Sequence, residues 1–167
     1  MIPLLETVQE TDFEKLFTTH YAALARVLYR VVGETAQAED LAAEAFWKLH
    51  RQPPRSQENL AGWLYRTGFR LALDDLKKRR RREHYEAAAG PPGSMPDPER
   101  ALEQVQVRAV MAALKPEQTS LLVLRSEGHT LREIAALLDL NAGSVGTMLA
   151  RADAAFRKEY VRCYGER

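Results

Sequence analysis

The sequence predicts an all-α protein: two small helical domains joined by a flexible Pro/Gly linker, the second containing a helix-turn-helix. Three observations point there. Apolar residues recur at helical spacing in both halves, and no stretch of four or more residues alternates as a half-buried strand would. The segment "AAAGPPGSMPDPE" from Ala87 to Glu99 holds four of the eight prolines and two of the nine glycines, and can sustain neither helix nor strand. Late in the chain, two helix-start signals flank a short turn. The 167 residues have room for two units of roughly 70–80 residues each. The division expected is 1–86, a linker over 87–98, and 99–167.

In the first unit, Thr11 and Glu14 have the spacing of a capping box. Phe13, Leu16, Phe17, Leu24, Val27, Leu28 and Val31 then form one helical stripe, which Gly33 ends. A second helix starts near Thr35, with Ala38, Leu41, Ala45, Phe46 and Leu49 on one face, and Pro53-Pro54 stops it. Asn59 can cap a third, carrying Leu60, Trp63, Leu64, Leu71 and Leu76 into a run of six basic residues, Lys77 to Arg82. In the second unit, Leu102, Val105, Ala109 and Leu114 mark one helix, and Leu121, Leu122 and Leu124 another. Thr130 with Glu133 forms a further capping box before Leu131, Ile134, Ala135 and Leu138. Asp139 tolerates the left-handed backbone that a tight turn needs. Asn141 can then cap a last helix with Val145, Leu149, Ala152 and Phe156 inward. This pattern is that of a helix-turn-helix, although an ordinary helical hairpin gives the same periodicity.

Composition narrows the function. At 46% apolar and 28% charged, the chain can build a core. No apolar run approaches the ~20 residues of a membrane span, and no export signal opens the chain, so a cytoplasmic protein is expected. The lone Cys163 excludes an internal disulfide, and His20, His50, His84 and His129 show no ligand spacing, so neither metal nor cofactor is expected. No nucleophile–base pair or phosphate-binding glycine loop stands out, which argues against an enzyme. Removing the six-residue basic run from the 24 basic residues leaves 18 against 23 acidic, a balance of −5 elsewhere. One patch therefore suits a polyanion and other surfaces a basic partner, whereas the plain alternative is a solubilising helix end.

Three motifs, in order, resemble a bacterial RNA polymerase sigma factor of the extracytoplasmic-function (ECF) type. "AEDLAAEAFWKLH" (Ala38 to His50) is similar to the family's polymerase-binding helix. "LAGWLYRTGFRLALDDLKKRRRR" (Leu60 to Arg82) is similar to its promoter-melting helix and basic tail. "LVLRSEGHTLREIAALLDLNAGSVGTMLARADAAF" (Leu122 to Phe156) is similar to its upstream-element reader. The resemblance implies that the first domain docks on core RNA polymerase and captures unpaired bases of the minus-ten element. It implies that the second reads double-stranded promoter DNA at the minus-thirty-five element, and that an anti-sigma protein restrains the whole.

On that resemblance Glu39, Asp40, Glu44, Trp47 and Lys48 face polymerase; Phe46 reads as core, and Trp47 as either. Promoter melting needs planes on which bases stack, worth ~1–3 kcal/mol each, beside cations for phosphates. Trp63, Tyr65, Arg66, Phe69 and Arg70 interleave both types, followed by Lys77, Lys78, Arg79 and Arg80; Trp63 has core spacing too. Phe69-Arg70 stands where the family usually has an Arg-Asn pair. Arg51, Arg55 and Asn59 fall in the loop corresponding to the family's specificity loop. The upstream readers would be Arg132, Asn141, Ser144, Thr147, Met148 and Arg151. Gly146 and Met148 replace the family's usual cations, so a sigma-like adaptor with weakened upstream recognition is the second reading. A stand-alone helix-turn-helix regulator is the third.

Overall fold

The computed structural model describes residues 10–86 and 98–165, which form seven helices and, among the described residues, no strand. Residues 87–97, on which the linker expectation falls, lie outside them. The first half contains α1 (Glu10–Val32), α2 (Thr35–Arg51) and α3 (Leu60–Glu86). Thr11 lies inside α1 rather than capping it, since the helix already includes Glu10. Gly33 ends α1 with φ +76°, the left-handed backbone that glycine adopts without steric cost. Asn59 does cap α3: its Oδ1 accepts from the Gly62 N–H at 2.8 Å. Leu24, Val27, Leu28 and Val31 of α1 join Leu41, Ala45, Phe46 and Leu49 of α2 and Leu64, Phe69 and Leu73 of α3 in the core. Burying each large apolar side chain contributes ~1.5–3 kcal/mol. Phe17, read from the sequence as core, is 42% exposed and instead stacks on Tyr21 at 4.7 Å.

The second half contains α4 (Pro98–Ala113), α5 (Pro116–Ser126), α6 (Leu131–Leu138) and α7 (Ala142–Tyr164). The capping box at α6 is complete. The Thr130 N–H donates to Glu133 Oε2 at 2.6 Å, and the Glu133 N–H to Thr130 Oγ1 at 3.2 Å. Asp139 takes φ 56°, ψ 50°, and Asn141 Oδ1 accepts from the Gly143 N–H at 2.8 Å. Ile134, Ala135, Leu138, Val145 and Ala152 are buried, so α6 and α7 cross as the sequence predicts. For α4 the expected stripe needs correction. Leu102 and Val105 are each 56% exposed, and burial gathers in Val110, Met111, Ala112 and Leu114. There the Thr119 hydroxyl of α5 donates to the Met111 carbonyl at 3.0 Å. Spacing marks a helix face but not whether a neighbour covers it.

The two halves share one continuous core, in which Met111, Leu121, Leu124, Ile134 and Leu138 join the residues of α1–α3. They do not stand apart as tethered modules. At the turn between α1 and α2, a β-carbon on Gly33 would lie 2.1 Å from the Arg108 guanidinium carbon, so the second half uses the space that glycine leaves.

Candidate nucleic-acid interface

Helix α2 buries Ala38, Leu41, Ala42, Ala45, Phe46 and Leu49, as its 3.6-residue period requires. What remains outside is an acidic face. Glu39, Asp40 and Glu44 are exposed, followed by Trp47 and Lys48. Lys48 Nζ lies 3.8 Å from Glu44 Oε1, a one-turn pair that leaves the face net negative. Phe46 is core, 2% exposed and ringed by Phe13, Phe17 and Tyr21. Trp47 is 57% exposed, with His50 stacked at 6.0 Å and the Arg51 guanidinium 5.8 Å from its ring. A large aromatic fixed in solvent by two neighbours is a built contact surface.

On α3 the sequence-predicted strand-binding residues divide. Tyr65 and Phe69 are 2% and 1% exposed and belong to the core stripe Leu60, Leu64, Tyr65, Phe69, Ala72, Leu73, Leu76. Their assignment as base-stacking platforms is corrected: a ring packed on both faces offers none to a base. Burial also pushes the Tyr65 hydroxyl above its ordinary value, while the Arg26 charge pulls it back. Trp63, Arg66 and Arg70 follow at spacings of three and four, and so share the outward face. Trp63 is half-buried against the core, Arg66 half-exposed and Arg70 exposed. Arg51 and Arg55 are exposed in and beside the α2–α3 loop. Asn59 is committed at both ends, since its Nδ2 also donates to the Ala136 carbonyl at 2.6 Å. In this arrangement it cannot read a base.

The basic run splits by helix side. Arg79 Nε is 3.0 Å from Asp75 Oδ2 and its Nη1 3.2 Å from Glu34 Oε2, while Arg80 Nη1 donates to the Ala109 carbonyl at 2.9 Å. Both act as internal ties rather than as the phosphate contacts expected of them. Lys77 is half-exposed, and Lys78, Arg81 and Arg82 are exposed. A cleft of about 410 Å³ between α3 and α5–α6 is lined by Arg66, Arg70, Lys115 and Leu138, among others. Sequence reasoning missed Lys115. It stands alone in the chain and reaches the two arginines only through the packing of the halves.

On α7, Ser144, Thr147 and Arg151 are exposed and Met148 half-buried, with Val145 and Ala152 turned inward, as predicted. Arg132 is exposed on α6. The Asn141 oxygen is taken by the helix cap, so only its amide N–H groups face outward. Among the described residues no cluster of three or more His, Cys, Asp or Glu is placed to hold a metal ion, and no helix is long and apolar enough to cross a membrane.

Comparison with known proteins agrees with this layout. Residues 16–82 match the family model "Sigma-70 region 2" and residues 104–153 match "Sigma-70, region 4". "ECF RNA polymerase sigma factor SigE" of Mycolicibacterium smegmatis is 29% identical over 152 residues, covering 84% of this chain and 58% of that protein. "RNA polymerase sigma-E factor" of Streptomyces coelicolor is 29% identical over 153 residues, covering 90% and 86%. Among solved structures, the sigma factor RpoE in complex with the anti-sigma factor NepR, from Bartonella quintana, is similar in fold. It gives a TM-score of 0.52 at 18% identity over 89% of this chain and 96% of that one. With regions 2 and 4 in order, and likeness to ECF proteins along most of its length, the chain belongs to the sigma-70 family, in the extracytoplasmic-function group.

Proposed function

We propose that the chain binds core RNA polymerase and directs it to start transcription at a defined set of promoters. The acidic face of α2, with Trp47, docks on a basic surface of polymerase. Trp63, Arg66 and Arg70 of α3, with Lys77, Lys78, Arg81 and Arg82, take the unpaired strand and its phosphates. The N-terminal turns of α7, through Ser144, Thr147 and Arg151, meet the upstream duplex in the major groove. The family is one of transcription initiation factors rather than enzymes, so the chain supplies specificity and no bond chemistry. The observation that carries this reading is the ordered pair of family matches, region 2 and then region 4, on two adjoining helical units. The Bartonella sigma factor is held by an anti-sigma protein, and we extend a partner of that kind to this chain.

Run-off transcription with purified core polymerase and a promoter library tests the proposal. It should yield discrete starts that depend on this protein and weaken with salt, since phosphate contacts release counterions. Failure to open any promoter in the library sinks it. A second reading is favoured by one observation: exposed Gly146 and half-buried Met148 leave Arg151 as the cation on the α7 reading face. There the protein is a polymerase-bound adaptor whose upstream placement comes from another contact. A pull-down with core polymerase separates both from a regulator that ignores polymerase.

A further inference from the structure

The seam between the halves holds α3 by its first two turns. Asn59 Nδ2 donates to the Ala136 carbonyl at 2.6 Å, and Arg66 Nη1 to the Leu138 carbonyl at 3.1 Å, with Asp139 Oδ2 4.0 Å away. Between them, a β-carbon on Gly62 would lie 2.6 Å from the Leu137 carbonyl oxygen, so only glycine admits this approach. Three successive carbonyls at the end of α6 thus meet three positions on α3. On the far side of the contact, Glu127 lies between Arg26 Nε at 3.4 Å and Arg30, whose Nε donates to it. The Glu127 side chain is 7% exposed although both arginines reach solvent. A carboxylate so desolvated is held only by its partners, and removing them is costly.

We propose that the free chain holds itself shut, with the carboxyl end of α6 covering the residues of α3 that would grip the unpaired strand. This rests on the strand-capturing reading of α3. The shut form cannot be the working form. The minus-ten and minus-thirty-five elements lie roughly 25 base pairs apart, about 85 Å of duplex at 3.4 Å per pair. A protein whose α6 hydrogen-bonds to its own α3 cannot place one half at each. Binding to polymerase must therefore separate the halves, which frees Arg66 and Asn59 at the point where strand capture needs them. A ligand sees a weakened affinity in proportion to the fraction of chains that are open, so the seam keeps the unbound factor off single-stranded DNA.

Two variants open the seam by different means. Gly62→Ala wedges α3 from α6 with a residue of higher helix propensity. Glu127→Lys places a cation between Arg26 and Arg30. For the full-length chain, both should raise the radius of gyration in small-angle scattering. Both should tighten binding of a fluorescein-labelled, random-sequence single-stranded DNA pool about tenfold or more. The Arg30→Glu, Glu127→Arg double variant should return both readings towards wild type. Expansion without tighter binding overturns the inference, and so does a chain that neither expands nor binds better in either variant. The reading of α3 is judged separately, in the holoenzyme, where Arg66→Ala should weaken binding of the same pool. If Arg66→Ala has no effect there, strand capture itself fails and the inference falls with it. If it weakens the holoenzyme while neither opened variant gains, the inference alone fails.

Discussion

At Gly146 a β-carbon would meet only Leu131 Cδ1, 3.9 Å away, so a long side chain fits without repacking. Replacing a mid-helix glycine also recovers up to ~1 kcal/mol of helix stability. Gly146→Lys with Met148→Arg is expected to strengthen binding to upstream duplex and to steepen the log–log salt slope by about two. An unchanged slope in a fluorescence titration would count against α7 as the reading helix. Phe69 offers the opposite test. As a core ring, it should cost ~3–5 kcal/mol on truncation to alanine, read as a drop in melting temperature. Phe69→Leu should keep both fold and promoter opening, an outcome that a base-stacking ring would not allow. Residue roles set by local chemistry were legible beforehand: Asn59, Thr130, Asn141 and Gly33 each do what their side chain and backbone preference dictate. Tyr65 and Phe69 were not, because an aromatic between two arginines reads alike whether it faces a base or a neighbouring helix.

Helix α6 has eight residues, too few to persist alone in water, so its ends and its packing hold it. Thr130→Ala is expected to cost ~1 kcal/mol, seen as faster amide exchange confined to α6 and the following turn. Hydrogen bonds from the Thr130 backbone N–H, and then from its side chain, hold the Glu133 carboxyl below its ordinary value. The cap therefore contributes above the unfolded carboxylate range and is lost as pH falls through the lowered value. Exchange rates of α6 amides measured against pH should show that loss, and Glu133→Gln should flatten it. Helix order and type were readable because strong period and caps agree along α1, α2, α3, α6 and α7. The partial failure at α4 has a physical cause. Leu102 and Val105 satisfy the period, yet the helix finds neighbours chiefly at Val110 to Leu114.

For the whole molecule, the arrangement of the halves was illegible in the sequence. Its ties join a side chain to a backbone carbonyl across 77 and 72 positions, from Asn59 to Ala136 and from Arg66 to Leu138, and every residue offers a carbonyl. The step from Glu86 to Pro98 is 12 residues, a reach of at most ~40 Å when fully extended. Together with the widths of the two halves, that length sets the longest promoter the factor can straddle. Deleting four residues within 88–95 should remove ~14 Å of reach, about four base pairs. In a library graded by spacer length, the longest spacers should lose activity first. Equal loss at every spacing would mean that the step does not set the ruler.

The grip of α3 on main-chain oxygens of Ala136, Leu137 and Leu138 has an evolutionary corollary. Because those oxygens persist whatever side chains surround them, substitutions that retune which sequence is read leave the latch chemically untouched. Descendants of such a factor can acquire new target genes one mutation at a time while staying silent until recruited.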